Sequence, residues 1–176
     1  PEGFSDDVEV FKTPPEAAKV GELRTPETQH FPSCYRRLWM FSPEAAALGD
    51  RVLLIDIDLV VVDDIAPLFD RTEDFVGWRP RQSWGTNKRF GGGLYLLRAG
   101  TRTHVWSDFN GANSICKART AGYRGSDQAW LSYKLSDSEV CYPNEAGIYS
   151  IRDMKNSEST LPDDARMIQF NGRTKP

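Results

Sequence analysis

No stretch of the chain stays apolar for the ~20 residues that a membrane-crossing helix needs, so the sequence supports no membrane span. An excess of positive charge is lacking too. Lys and Arg number 22 against 25 Asp and Glu, a net charge of −3, and the basic residues form no stripe. Nucleic acid is thereby disfavoured as a partner, because phosphate recognition draws on a basic field. Cysteine is scarce: Cys34, Cys116 and Cys141 are odd in number and have no Cys-x-x-Cys spacing. Neither a disulfide framework nor a zinc site follows, and reduced thiols in a reducing, cytoplasmic compartment are the expectation. The two histidines, His30 and His104, have no partners at ligand spacing. Repeats, low-complexity tracts and linkers are absent. No signal peptide is visible in these residues, which open at Pro1 without Met, so the natural N-terminus is expected to lie upstream.

What is present reads as one soluble domain of 176 residues, 39% hydrophobic and 27% charged, long enough to bury a core. The first 32 residues are rich in proline and acids. One short strand is expected there, Val8 to Lys12, within a loop punctuated by Pro14, Pro15, Pro26 and Pro32. Ser33 stands where a helix cap belongs, ahead of a mixed-face helix through "YRRLWMF". "SPEAAALG" repeats the signal, with Ser42 at the cap, Pro43 first and Gly49 at the end. A buried strand, "RVLLIDIDLVVVDD", follows, and "DDIAPLFD" reads as a helical turn. Further strands are expected in "DFVGWRP", "GGLYLLRAG", "EVCYPN", "GIYSI" and "RMIQFNG". Two helices are expected in "THVWSDFNGANSICKAR" and "SDQAWLSYKL", with Val105, Trp106, Phe109, Trp130, Leu131 and Leu135 as core positions. Strands alternating with helices give an α/β class with a mixed sheet flanked by helices.

The acids inside the apolar run carry the functional question. Asp56 and Asp58 are two residues apart, so on a regular strand both point to one side. At the C-terminal end of a strand they stand where open α/β sheets bind ligands. A carboxylate pair there suits a hard divalent cation such as manganese or magnesium. The plainer alternative is a strand that stops near Asp56 and leaves both acids on its solvent lip. Three glycines, Gly91, Gly92 and Gly93, precede the strand in "FGGGLYLL", where a backbone approaches something closely or bends. Asp127 and Gln128 open a helix, a position that also favours an acid through the helix dipole. Trp78 and Trp84 are candidates for stacking on an acceptor.

In this order, "YRRL", "LLIDIDLV", "FGGGLYLL", "GSDQAWL" and "IQFNGRTKP" resemble the GT-A glycosyltransferases, above all the retaining group that includes glycogenin and bacterial galactosyltransferases. That group shows Tyr-x-Arg-Leu, a strand ending in Asp-x-Asp, Phe-Asn-x-Gly before a strand, an Asp-Gln helix start, and a final His-aromatic-x-Gly-x-x-Lys-Pro. The resemblance implies a GT-A fold and transfer of a hexose, with retention, from a nucleotide-diphosphate sugar to a glycan, lipid or protein acceptor. It assigns Asp56 and Asp58 to the metal and Arg37 to the donor sugar and diphosphate. Gly92 and Gly93 fall at the donor, Asp127 and Gln128 beside the transferred sugar, and Gly172 and Lys175 on a loop closing over the diphosphate. Charge building on a leaving diphosphate is what a cation and basic side chains stabilise. Two positions depart from the pattern. Gln169 replaces the metal-binding histidine and offers an amide oxygen, and Gly91 replaces the asparagine that contacts the sugar. GT-A folds also begin with a base-gripping strand and helix, and nothing before Val8 could form one, so an N-terminally truncated domain spanning residues 1–176 is expected.

Two other readings share these residues. A phosphatase of the haloacid dehalogenase type would use Asp56 as nucleophile and Asp58 as acid, but its later Gly-Asp-x-x-x-Asp motif is not in the sequence. A non-catalytic nucleotide-sugar-binding module of the same fold is favoured by Gln169 and Gly91.

Overall fold

The structure is a computed structural model, and it describes residues 8–24, 34–80, 90–135, 137–152, 154 and 160–170. Its central feature is the division of the apolar run. Strand β1 (Arg51–Ile55) stops before Asp56, and β2 (Leu59–Val61) begins after Asp58. The turn between them is closed by the Leu59 N–H, which donates to the Asp56 carbonyl at 3.1 Å. Asp56 and Asp58 therefore share a turn, not one face of a strand. A sheet interior has no room for two carboxylates, and the chain leaves the sheet where they occur.

The two strands then join different sheets. β1 pairs antiparallel with β4 (Leu94–Arg98), which pairs antiparallel with β3 (Phe75–Gly77), which pairs in parallel with β5 (Val140–Cys141). β2 pairs antiparallel with β7 (Met167–Gln169), which pairs in parallel with β6 (Ile148–Ser150). The result is the mixed α/β architecture the sequence implied, built from two small sheets.

Strand β4 is buried on both faces, and its alternation sorts the core. Tyr95 and Leu97 join Tyr35, Leu38, Phe41, Phe75, Trp130 and Leu131 on the helical side. Leu94 and Leu96 join Leu68, Val76, Trp78, Ile148 and Met167 on the other. Trp78 is thus a core residue, and the expectation that it lines an acceptor surface is corrected. Trp84 lies outside the described residues.

The helices follow the sequence reading with three differences. Cys34–Phe41 and Pro43–Leu48 are 3-10 helices, as is the turn Ala66–Phe69; Ser33 lies outside the described residues. Pro15 starts helix α1 (Pro15–Val20), where a loop was expected, because its fixed φ suits a first helical turn. Ala17 then packs beside Trp39 and Ala45. Val8–Lys12 forms no strand; Phe11 instead stacks on Trp39 with ring centroids 5.8 Å apart.

The expected single helix over residues 103–119 is two, α2 (His104–Ser107) and α3 (Gly111–Thr120). Ser114 accounts for the break: its hydroxyl accepts from the Asn110 N–H at 2.7 Å and donates to the Asp108 carbonyl. Such local bonds compete with helix continuation, and the interruption frees Phe109 to stack on Tyr35 and meet Trp130 edge-on. Helix α4 (Asp127–Lys134) buries Ala129, Trp130 and Leu131 under the first sheet.

Candidate functional site

The 56–58 turn is pinned from both sides. The Asp56 N–H donates to the Gly93 carbonyl at 2.8 Å, extending the β1–β4 ladder, in which Ile55 faces Leu94, by one rung. The Phe170 N–H donates to the Asp58 carbonyl at 2.8 Å, directly after Gln169 pairs with Leu59. Strand ends from both sheets thereby meet at the two acids. The helix Cys34–Phe41 brings Arg37 to the same place, and the start of α4 brings Asp127 and Gln128.

Arg37 bridges two carboxylates. Its Nη1 donates to Asp56 Oδ2 at 2.8 Å and its Nη2 to Asp127 Oδ1 at 3.0 Å. The carboxylates differ in exposure, 32% for the Asp56 side chain and 0% for that of Asp127. Ser126 also donates to Asp127 Oδ1, at 2.8 Å, so its hydroxyl serves this acid and makes no N-cap bond. Burial works against the charge on Arg37, but the two carboxylates outweigh it and hold the guanidinium proton well above its ordinary range. The Cys34 thiol beside this group is pushed up by burial and then by Asp127, against the charge of Arg37.

Two glycines are required by this crowding. A Cβ on Gly92 would lie 2.7 Å from Gln128 Oε1 and 3.0 Å from Arg37 Nη2. A Cβ on Gly93 would overlap the Gln169 amide and lie 3.7 Å from the Asp56 Cβ. Of the two meanings open for the glycine run, close approach is the one realised at Gly92 and Gly93. Gly91 packs elsewhere, against Pro80 and Trp78.

With this geometry in view, known structures can be compared. No protein-family model and no curated protein matches the sequence. The galactosyltransferase LgtC, solved in complex with donor and acceptor sugar analogs, superposes with a TM-score of 0.60 over 90% of this chain at 17% identity. The apo-form glycosyltransferase GlyE of Streptococcus pneumoniae TIGR4 superposes with a TM-score of 0.57 over 86% of the chain at 15% identity. The fold is that of the GT-A glycosyltransferases. The chain spans 65% of the length of LgtC and 40% of that of GlyE.

Within this GT-A fold, Arg37, Asp56, Asp127, Gln128, Gly92, Gly93 and Gln169 are brought together, and Asp58 stands in the same turn. Gly172 and Lys175 lie outside the described residues. No group of three His, Cys, Asp or Glu side chains forms a metal cage among the described residues. Asp56, Asp58 and Gln169 carry side-chain oxygens, the donor type that hard divalent cations take. Sequence reasoning missed three residues: Cys34, Ser126 and Tyr95. Ser126 and Cys34 adjoin recognised motifs and were readable as their neighbours, whereas Tyr95 looked like ordinary strand core. Among the described residues, no helix is long and apolar enough to cross a membrane.

Proposed function

We propose that this GT-A domain, residues 1–176 taken as a single unit, is a metal-dependent hexosyltransferase. It would move a sugar, with retention, from a nucleotide-diphosphate sugar to a glycan, lipid or protein acceptor, in a reducing, cytoplasmic setting. One observation carries the reading: Arg37 joins Asp56 of the turn to Asp127 of α4 at the edge where Gly92, Gly93 and Gln169 meet. That arrangement gathers a fixed cation, a carboxylate pair and an amide, the groups a diphosphate leaving group and its sugar call for. The fold favours this reading over the phosphatase.

Asp56, Asp58 and Gln169 would hold manganese or magnesium, and the ion would supply positive charge to the departing diphosphate. The chain's own residues do the rest. Arg37 stays cationic at any working pH and turns one nitrogen toward the part-exposed Asp56, where it would meet the diphosphate. Gln128 is part-exposed beside Gly92 and would meet the transferred sugar; Asp127, fully buried, fixes Arg37 from behind. Gly172 and Lys175 would close over the diphosphate.

Thermal-shift titration of the full-length protein tests this. Manganese and a panel of nucleotide-diphosphate sugars are varied together, with Asp58→Asn as control. A ligand at ~100 times its dissociation constant adds about 2.7 kcal/mol to stability, so a joint shift that disappears in Asp58→Asn is the expected result. No shift with any nucleotide sugar would remove the donor-binding claim. The non-catalytic binding module keeps one observation in its favour, the uncharged Gln169 in place of a third strong ligand. It is distinguished by donor binding without turnover on any acceptor or on water.

A further inference from the structure

Two buried atoms of the Arg37–Asp127 pair, Arg37 Nε and Asp127 Oδ2, have no hydrogen-bond partner among the described residues, and neither has the buried Tyr95 hydroxyl. Such groups are rare in folded proteins, and each costs stability unless something meets it. Their placement is specific. In a planar guanidinium, Nε–H and Nη2 lie along one edge, the edge that normally grips both oxygens of a carboxylate. Here Nη2 reaches Asp127 Oδ1 at 3.0 Å while the parallel bond, Nε to Oδ2, is not made. The fork is half closed.

Tyr95 belongs to the same packing unit. Its ring lies 5.4 Å from that of Phe41, one turn along the helix from Arg37, and shares a core cluster with Trp130 and Leu131 of α4. Burial, followed by the charges of Arg37, Asp127 and Asp56, acts on its hydroxyl, and the net effect holds it protonated. It is therefore an O–H donor at any working pH. Two donors and one anionic acceptor make the complement of a single water molecule, which accepts two hydrogen bonds and donates to the carboxylate. Internal waters typically make about three such bonds.

We propose that one internal water links the Tyr95 hydroxyl, Arg37 Nε and Asp127 Oδ2, and that Tyr95 is thereby a positioning residue for the Arg37–Asp127 pair. The structural half of this stands alone. The positioning half rests on the donor-binding reading above: Tyr95 touches no substrate and acts by holding Arg37 and the start of α4, with Gln128, at the angle the donor sugar needs.

Tyr95→Phe decides the structural half by the sign of its effect. If the hydroxyl is held through water, its removal lowers the melting temperature by about 2–4 °C, the loss of roughly one hydrogen bond, and the loss shrinks in an Asp127→Asn background. If the hydroxyl has no partner, or the Arg37–Asp127 fork closes directly, Tyr95→Phe leaves the protein equally stable or more stable, and the proposal is overturned. The positioning half is read from affinities. Tyr95→Phe is expected to weaken a nucleotide-diphosphate sugar about fivefold more than the matching nucleotide diphosphate without sugar, an effect below one hydrogen bond to a charged group. Equal weakening of both ligands overturns the positioning role. Should the parent protein bind neither ligand, the donor reading fails, while the melting comparison still decides on the water.

Discussion

Both ends of the β1–β4 pair carry an arginine set between carboxylates, and the two could hardly differ more. At the end where Arg51 faces Arg98, the Arg98 side chain reaches Asp74 at 2.8 Å and Asp50 at 3.2 Å, and Arg102 grips Glu139 with two bonds of 2.9 and 3.0 Å. Water has access to this cluster: the Arg98 side chain is 39% exposed and that of Asp50 74%. At the other end, Arg37 is nearly enclosed, Asp127 is wholly so, and polar atoms are left over. The exposed cluster is energetically minor, since solvent can replace most of its bonds. The enclosed one is costly to build and incompletely satisfied. Polar groups kept under those terms suit the donor site proposed above better than a stabilising role.

The contrast is broken most forcefully at its arginines. Arg37→Met leaves Asp127 buried without its cation and is expected to cost about 3–5 kcal/mol in urea unfolding. Arg98→Met at the other end is expected to cost under about 1 kcal/mol, with a loss that fades as salt is added. Equal costs would erase the distinction drawn here.

Gly92→Ala sharpens it at a smaller scale. The new methyl must displace Gln128 or Arg37, so folding should lose about 1–3 kcal/mol as in other overpacked positions. Donor affinity, measured by thermal shift with manganese, should fall by about tenfold or more. Gly100, at the opposite end of β4, has nothing near its would-be Cβ but a φ of +76°. Its alanine variant should lose stability through backbone strain alone and leave donor affinity unchanged.

The thiols give the smallest effect. Burial raises the Cys34 and Cys141 pKa values above the ordinary 9.0, whereas Cys116 is exposed. Mass spectrometry after brief alkylation at about pH 8 should find Cys116 labelled first. The sign of the linked stability follows. The unfolded chain loses these protons at lower pH than the folded one, so the contribution is complete below the ordinary thiol pKa and declines as pH rises above it.

How much of this was written in the sequence differs between the two ends as well. The enclosed site was legible because its parts carry unusual local signals: acids in an apolar run, adjacent glycines before a strand, an Asp-Gln helix start. Ordered motifs then tied Arg37, Asp56 and Gln128 together across about half of the chain. What failed to show was whatever depends on packing alone. Tyr95 has the pattern of any strand core residue, and only its surroundings turn its hydroxyl into a problem that needs a partner. The split of the apolar run into two sheets, and the break at Asp108–Asn110, were likewise decided by tertiary demand. Pro15 was misread because a proline that ends one element can equally begin another.

The bond from Phe170 to Asp58 has a consequence in time. Among the described residues strand β2 pairs with β7 alone, more than a hundred residues later in synthesis, and Gln169 reaches Gly93 only once that pairing exists. Contacts so distant along the chain form late and slowly. On the ribosome, the β1–β4 pair can settle early while the two aspartates still hang from an unfinished turn. Asp56 and Asp58 therefore come beside Gln169 only when the second sheet closes, after the β1–β4 pair that carries their turn has formed.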